Sequence, residues 1–221
     1  MNPEPPERHH NCIYIHLRQN KYTSPAFYYP NAKSHEGFLQ YFPPLATGNF
    51  WVYQVVDPGS PHVTQIDTVR VASDTTINGI TYYMVTGGYF AGINDSYYRD
   101  SAGCVVEYSN PGTTQMSSWI YKLTNHRNDT LNAVNENILE VITQTGNPDT
   151  TINVTAGTFT ALQVIKSTSY IAPYAPPAGV SSPRFSYLYF SKGVGITFAT
   201  TFFSESPDII TSQLISYHIA P

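Results

Sequence analysis

The stretch Thr150–Tyr170, TTINVTAGTFTALQVIKSTSY, alternates apolar and polar side chains around a glycine. Ile152 and Val154 alternate with threonine and asparagine, so one face of the first half is apolar and the other is polar. Ala156-Gly157 supplies a turn, because glycine tolerates the positive φ that most tight turns need. The stretch therefore predicts a β-hairpin. The break in alternation at Val164-Ile165 predicts either a bulge or a strand buried on both faces.

The same kind of pattern recurs along the chain. Val63–Ile77 and Ile80–Val85 flank Asn78-Gly79, which is the strongest two-residue hairpin signal. Leu131–Gln144 is ambiguous between a strand and a short helix, and its Ile, Val and Thr content favours the strand. Further strands are predicted at Phe50–Val56, Tyr97–Arg99, Cys104–Tyr108, Met116–Leu123, Phe185–Phe190, Gly195–Phe203 and Ile209–Ile219. Many short strands with short turns predict an all-β fold, in which a curved antiparallel sheet forms an open half-barrel, a barrel or a sandwich.

The chain divides into a tail and one domain. Residues 1–37 lack periodicity and are rich in Pro, His, Asn and Tyr, which predicts a disordered tail or a segment foreign to the domain. Residues 38–221 are predicted to form a single β-domain. Within it, Ile171–Pro183 has no charge and four prolines. It predicts a long Pro-rich loop, either as a plain crossover or as a flap over a cavity mouth.

Composition limits the class of partner. Among 221 residues, 41% are hydrophobic, only 12% are charged and 18 are Tyr, with a formal net charge of −4. Because phosphate binding requires a basic patch, this balance argues against nucleic acid as the partner. The sequence contains no run of eighteen apolar residues, so it predicts no transmembrane helix. Its first residues also lack the apolar region of a signal peptide. If the protein is exported, we expect its signal to lie outside this sequence.

The residue types that catalyse reactions or bind metals in other proteins form no recognisable catalytic motif in this sequence. His9, His10, Cys12 and His16 have spacings that suit zinc or copper, but they lie in the predicted tail. Cys104 is predicted to be a small buried residue, with a Cys12–Cys104 disulfide as the alternative. Asp95, Asp100 and Glu107 are interpreted as solvated turn carboxylates, with a calcium site or an acid–base pair as alternatives. We therefore predict no catalytic residue, no metal and no cofactor.

The order of several motifs resembles a known group of sequences. The motifs come in this order along the chain: YFPPLATGNFWVYQV at 41–55, the hairpin that ends in Tyr82-Tyr83, VTAGTF at 154–159 and YFSKGVG at 189–195. This order is similar to uncharacterised bacterial secreted or lipoprotein domains with a PAGTF strand turn and a Y(W/F)-x-x-GVG strand, over residues 38–219. Thr155 stands where that group often has proline. The resemblance implies export to the bacterial envelope or beyond, and a sheet similar to the half-barrel of periplasmic lipoprotein carriers, without a known activity.

Aromatic side chains are the feature of the sequence with a functional implication. On the concave face of a curved sheet they can stack on a sugar or line a lipid cavity, and the alternative is ordinary packing between strands. The candidate ligand-binding residues are Tyr82, Tyr97, Tyr187, Tyr189 and Phe198. The leading hypothesis is a non-enzymatic envelope or secreted β-domain that binds a lipid, another apolar ligand or an envelope protein partner in its sheet. A structural or adhesive surface module and, less favoured, a glycan-acting hydrolase are the alternatives.

Overall fold

The computed structural model describes residues 41–59, 62–77, 79–87, 96–101, 104–108, 120–121, 127–136 and 138–220. The predicted tail, the His9–His16 cluster, Cys12, Asp95 and most of Met116–Leu123 lie outside these residues. The strands are β1 (Phe50–Asp57), β2 (Val63–Ile77), β3 (Ile80–Thr86), β4 (Ser96–Ser101), β5 (Cys104–Tyr108), β6 (Ile120–Tyr121), β7 (Thr130–Glu136), β8 (Leu139–Thr145), β9 (Thr150–Val154), β10 (Gly157–Tyr170), β11 (Arg184–Ser191), β12 (Gly195–Thr201) and β13 (Ile210–His218).

All thirteen strands belong to one antiparallel sheet. Its order is β6-β5-β4-β3-β2-β1-β13-β12-β11-β10-β8-β7, and β9 pairs with the start of β10. No α-helix occurs in the described ranges. The sheet stays open, because the strands at the two ends of this order do not pair with each other there. The prediction of an all-β, antiparallel fold is confirmed, in its open form and not as a closed barrel.

The local hairpin signals were informative. Ile77 pairs with Ile80 across the Asn78-Gly79 turn, and Gly79 has a φ of 78°. Val154 pairs with Gly157, so the turn of the opening stretch lies at Thr155-Ala156, one residue earlier than predicted. Leu131–Gln144 is neither one strand nor a helix. It is the hairpin β7–β8, in which Glu136 pairs with Leu139.

One face of the sheet forms the hydrophobic core. Along β1, Trp51, Tyr53 and Val55 are buried, and the residues between them are half-buried. Their neighbours across the sheet continue this face, which gathers into one cluster containing Tyr41, Phe42, Trp51, Tyr53, Val55, Val69, Val71, Val85, Tyr98, Val105, Leu162, Val164, Phe190, Val194, Ile196, Ala199, Ile210 and Leu214. Each fully buried large side chain stabilises the fold by about 1.5–3 kcal/mol. The side chains between them point to the opposite face, here called the outer face.

Strands β12 and β13 separate at one end, and side chains from β1 bridge the gap. The ladder between them runs only from Phe198–Gln213 to Thr201–Ile210. Beyond it, Trp51 Nε1 donates a hydrogen bond of 2.7 Å to Val194 O. Tyr53 Oη donates one of 2.9 Å to Ile196 O. These two donors satisfy the carbonyl of the turn residue Val194 and that of Ile196, beyond the point where the ladder between β12 and β13 ends.

The tip of the β9–β10 hairpin occupies the same region. Ala156 N donates a 3.1 Å hydrogen bond to Leu214 O on β13. In the order of the sheet, β10 and β13 are separated by two strands, which is about 14 Å on a flat sheet. A direct backbone hydrogen bond therefore requires the sheet to curl over its core face. The Phe159 ring contacts the Tyr217 ring edge-on at 6.2 Å, which packs the tip against β13.

Residues 41–49 lie against the core face and connect the two ends of the described chain. The Phe42 and Phe190 rings meet edge-to-face at 5.8 Å. Asn49 is fully buried, and its Nδ2 donates to Pro44 O at 2.8 Å. Asn49 Oδ1 accepts from Ala220 N at 2.7 Å. The buried Asn49 side chain thus joins the start of β1 to the segment that follows β13.

We expect Gly195→Ala to destabilise the fold far more than Gly193→Ala. Both glycines have positive φ, 96° and 70° respectively. A Cβ on Gly195 would lie 2.7 Å from Pro43 Cγ and 2.9 Å from Pro43 Cα, whereas one on Gly193 meets nothing within 4 Å. The backbone conformation costs each variant about 1 kcal/mol, and crowding adds about 1–3 kcal/mol at Gly195. Urea denaturation of both variants measures the difference. Equal losses would show that the approach of Pro43 is not restrictive.

The stability of this protein should fall in alkaline solution through Tyr53. Burial, and secondarily the negative charge of Asp67, raise the pKa of the Tyr53 phenol well above its ordinary value. The folded state therefore keeps a proton that the unfolded chain loses near pH 10. The stabilisation is complete below that pH and declines above it, by about 1.4 kcal/mol per pH unit.

Tyr53→Phe is the test of this linkage. At pH 7 we expect the variant to be about 1–2 kcal/mol less stable, because Ile196 O loses its donor. The difference from the wild type should shrink between pH 10 and pH 11, as measured by urea denaturation at each pH. A difference that stays constant over this range would contradict a protonated, buried Tyr53.

Candidate functional site

Three of the five aromatic candidates form one group on the outer face. Tyr189 pairs with Phe198 across β11 and β12, and the two ring centroids are 5.8 Å apart with the planes tilted by 59°. Tyr187 lies two residues from Tyr189 on β11, so its side chain points the same way. All three are half-buried. The structure places them opposite the core cluster, whereas the sequence hypothesis placed them on a concave face.

The other two candidates lie elsewhere on the sheet. Tyr82 is on β3 and Tyr97 is on β4, and β13, β1 and β2 separate them from the Tyr189 group. Tyr82 is only 3% exposed, and its hydroxyl accepts a 3.1 Å hydrogen bond from Arg99 Nε. The Arg99 guanidinium carbon also lies 5.5 Å from the centre of the Tyr82 ring. Tyr82 is thus buried against Arg99, and the five candidates lie in two separate parts of the sheet.

Glutamines on neighbouring strands extend the Tyr189 group into a row. Gln163 pairs with Tyr189, and its Nε2 donates a 2.9 Å hydrogen bond to the Tyr189 hydroxyl. On the other side Phe198 pairs with Gln213, which pairs with Gln54. Gln213 Nε2 donates to Gln54 Oε1 at 2.6 Å. No local sequence pattern marks these amides as a site, because only the register between distant strands makes them neighbours.

A second row lies beside the first. Ile165 pairs with Tyr187, whose backbone N donates a 2.9 Å hydrogen bond to Thr200 Oγ1. Thr200 pairs with Thr211, and Thr211 pairs with Val56. We call the two rows together the outer-face patch, and its members are Gln163, Tyr189, Phe198, Gln213, Gln54, Ile165, Tyr187, Thr200, Thr211 and Val56. The patch contains aromatic, amide, hydroxyl and aliphatic groups and no charged side chain.

Exposed apolar side chains gather at one end of the sheet. Ten large apolar residues are exposed in the described part of the chain. Six of them lie at or beside the connections β1–β2, β7–β8, β10–β11 and β12–β13, which the antiparallel order brings to the same end. We call this group the loop end, and its members are Val63, Ile138, Tyr174, Phe185, Phe203 and Ile209. The Pro-rich loop predicted at 171–183 forms part of it.

Arg184 organises the loop that carries Phe203 and Ile209. Its buried guanidinium donates hydrogen bonds to the backbone carbonyls of Phe203, Ser206, Pro207 and Asp208. The Arg184 guanidinium carbon lies 3.9 Å from the centre of the Phe202 ring. Four carbonyl dipoles and an aromatic face replace the water that a buried cation would lose. The loop at 202–209 is therefore folded around a cation and holds its apolar residues in fixed positions.

A polar cleft lies beside this loop. It has a volume of about 360 Å³ and is lined by Asp57, Gly59, Val63, Phe203, Ser206, Asp208 and Ile210. Its carboxylates already have donors, since Gly59 N donates to Asp57 Oδ1 at 2.9 Å and Ser206 Oγ to Asp208 Oδ2 at 3.0 Å. Over the described residues, no three His, Cys, Asp or Glu side chains come together as metal ligands. The same part of the chain contains no helix long and apolar enough to cross a bilayer.

Comparison with known proteins identifies the fold alone. No family model and no curated protein matches this sequence. A Bacteroides fragilis protein inferred to be exported, with a YmcC-like fold, has a TM-score of 0.51 at 14% identity, and the match covers 80% of this chain and 99% of that one. A Parabacteroides distasonis protein provisionally described as a lipoprotein has a TM-score of 0.44 at 14% identity, over 80% and 98% of the two chains. The first match shows that this open antiparallel architecture occurs in another bacterial protein.

We expect Arg184→Lys to loosen the loop at 202–209. An ammonium has three donors and no planar fork, so it cannot serve the four carbonyls that Arg184 reaches. We expect a loss of about 2–4 kcal/mol in the free energy of unfolding and faster amide exchange across the loop. Hydrogen exchange with mass spectrometry measures both. Arg70→Lys, at an exposed position on β2, is the control. Equal exchange in the two variants would contradict this role for Arg184.

Proposed function

We propose that this chain is a non-enzymatic β-domain that is exported to the bacterial envelope and binds an apolar ligand or a partner protein at its loop end. The observation that carries the proposal is the gathering of six exposed large apolar side chains there. Exposed apolar groups scattered singly are normal, but a concentrated set favours an interaction surface. Likeness in fold to a protein inferred to be exported, together with the motif resemblance, supports export.

The core face supports binding at the end of the sheet instead of within its curve. Phe42 and Pro43 lie on that face, against Phe190 and Gly195 respectively. The β9–β10 tip covers a further part of it by bonding to β13. In the described part of the chain these groups occupy part of the core face, which favours binding at the end of the sheet. An apolar group at the loop end would instead meet Phe203 and Ile209 directly.

Charge at the loop end favours a neutral partner. Asp57, Glu205 and Asp208 lie among the apolar residues of this end. An anionic lipid surface attracts clusters of Lys and Arg and is repelled by carboxylates. We therefore expect a neutral lipid or an apolar patch on an envelope protein as the occupant.

The double variant Phe203→Ser/Ile209→Ser tests the proposal. The full chain is mixed with vesicles of phosphatidylcholine and phosphatidylethanolamine for flotation, and is cross-linked to envelope proteins in a bacterial membrane fraction. We expect wild type to float with the vesicles or to give a specific cross-link. The double variant should weaken that binding by about tenfold or more, because two buried apolar contacts are lost.

Ile80→Ser is the matched control, because Ile80 is exposed near the opposite end of the sheet. It should bind like wild type. Binding that the double variant leaves unchanged, or the absence of both vesicle and protein binding by wild type, would refute the proposal. The second outcome would favour a structural surface module. Fractionation of cells that express the natural gene tests export separately, and a purely cytosolic product would contradict it.

A further inference from the structure

We propose that the outer-face patch is a second, separate binding site, and that it takes a neutral polysaccharide chain lying across the strands. The patch adjoins the loop end at Phe185, which precedes Tyr187 by two residues on β11, but the proposal does not depend on what binds at the loop end. Its basis is the two uncharged rows of aromatic, amide and hydroxyl side chains on five consecutive strands.

The dimensions of the patch suit a chain polymer. The row from Gln163 through Tyr189, Phe198 and Gln213 to Gln54 contains one residue from each of β10, β11, β12, β13 and β1. Neighbouring strands are about 4.8 Å apart, so this row is about 19 Å long. The second row runs parallel to it, two residues further along each strand. The patch is thus an elongated surface, not a pocket for a single small molecule.

Its chemistry matches that of sugar rings. A pyranose has an apolar C–H face, which packs on the face of an aromatic ring, and a rim of hydroxyls, which pair with amides and hydroxyls. Tyr189, Phe198 and Tyr187 supply the rings. The Tyr189 hydroxyl accepts from Gln163 Nε2 and keeps its own proton for donation. Gln54 Nε2 and Gln213 Oε1 supply a further donor and acceptor, since the bond between these two side chains uses only Gln54 Oε1 and Gln213 Nε2.

The charge of the patch excludes other classes of polymer. None of its ten residues is Asp, Glu, Lys, Arg or His. Nucleic acids and anionic polysaccharides need cations along their binding surface. A lipid surface needs a continuous apolar area, and Gln163, Gln213, Thr200 and Thr211 interrupt this one. A neutral, polyhydroxylated chain is the partner class that suits the remaining chemistry.

The patch is also preorganised. Gln163 is held from two sides, because its Nε2 bonds to Tyr189 and its Oε1 accepts from Asn147 N at 3.3 Å. Gln54 and Gln213 hold each other. All ten residues stand on strands that are paired on both sides, so little side-chain or backbone freedom is lost on binding.

Affinity electrophoresis of the full chain tests the inference. Native gels contain hydroxyethyl cellulose, dextran, galactomannan or a soluble β-1,3-glucan, and parallel gels contain the anionic polymers alginate and heparin. We expect at least one neutral polymer to retard wild type, and the anionic polymers not to. Tyr189→Ala/Phe198→Ala should bind about tenfold or more weakly, and Ile80→Ala, at an exposed position beside the β2–β3 turn, should bind like wild type.

A second variant distinguishes a loss of binding from a loss of folding. Gln54→Ala/Gln213→Ala removes half-buried amides without touching the rings, and its circular dichroism and melting temperature should match wild type. We expect it to weaken retardation as well. Retardation by none of the neutral polymers, equal retardation by anionic ones, or retardation unchanged in both patch variants would each overturn the inference. The loop-end variant Phe203→Ser/Ile209→Ser should retain polysaccharide binding, so failure of either proposal is distinguishable from failure of the other.

Discussion

The hydrogen bonds from Trp51 and Tyr53 to the carbonyls of Val194 and Ile196, at the start of β12, are the constraint on which this architecture depends. A strand that leaves its neighbour normally exposes unpaired backbone groups, and burying them without partners is costly. Here two large side chains of β1 reach over β13 and supply the missing donors. Because the gap is satisfied in this way, β13 can leave β12 after Gln213 and receive the β9–β10 tip instead.

The curl that follows from this arrangement replaces a second layer. A sheet buries one face against another element in most folds, and the described residues contain no helix to serve that purpose. The sheet buries its own face instead, with help from Phe42 and Pro43. Asn49 then closes the structure by joining the entry of β1 to the residues after β13. The core is consequently formed from residues far apart in sequence, and most of its contacts cross long stretches of chain.

This long-range character explains what the sequence could and could not predict. Local signals sufficed for the hairpins, because Asn78-Gly79 and the alternation after Thr150 act over a few residues. They failed at Leu131–Gln144, where the turn lies between two runs of similar composition and has no glycine. The aromatic candidates were identified by residue type alone, so Tyr82 and Tyr189 looked alike. Their environments differ because of strand register and order, which no local pattern encodes. The glutamine pair of the outer face was missed for the same reason.

The position of the outer-face patch in the sheet explains how this face can remain uncharged. Edge strands usually need charge to prevent pairing with other molecules, whereas strands in the middle of a sheet have no free edge. The outer-face patch lies on such central strands, so it can stay uncharged without inviting backbone pairing. An uncharged face can stack against the face of another molecule. The glutamines and threonines limit such stacking, because they interrupt the apolar area of the patch. A face that is protected in this way, yet keeps aromatic rings accessible on a rigid support, is suited to weak, repeated contacts with a long neutral ligand. Because β11 contributes both Tyr189 to this patch and Phe185 to the loop end, one rigid strand links the two surfaces.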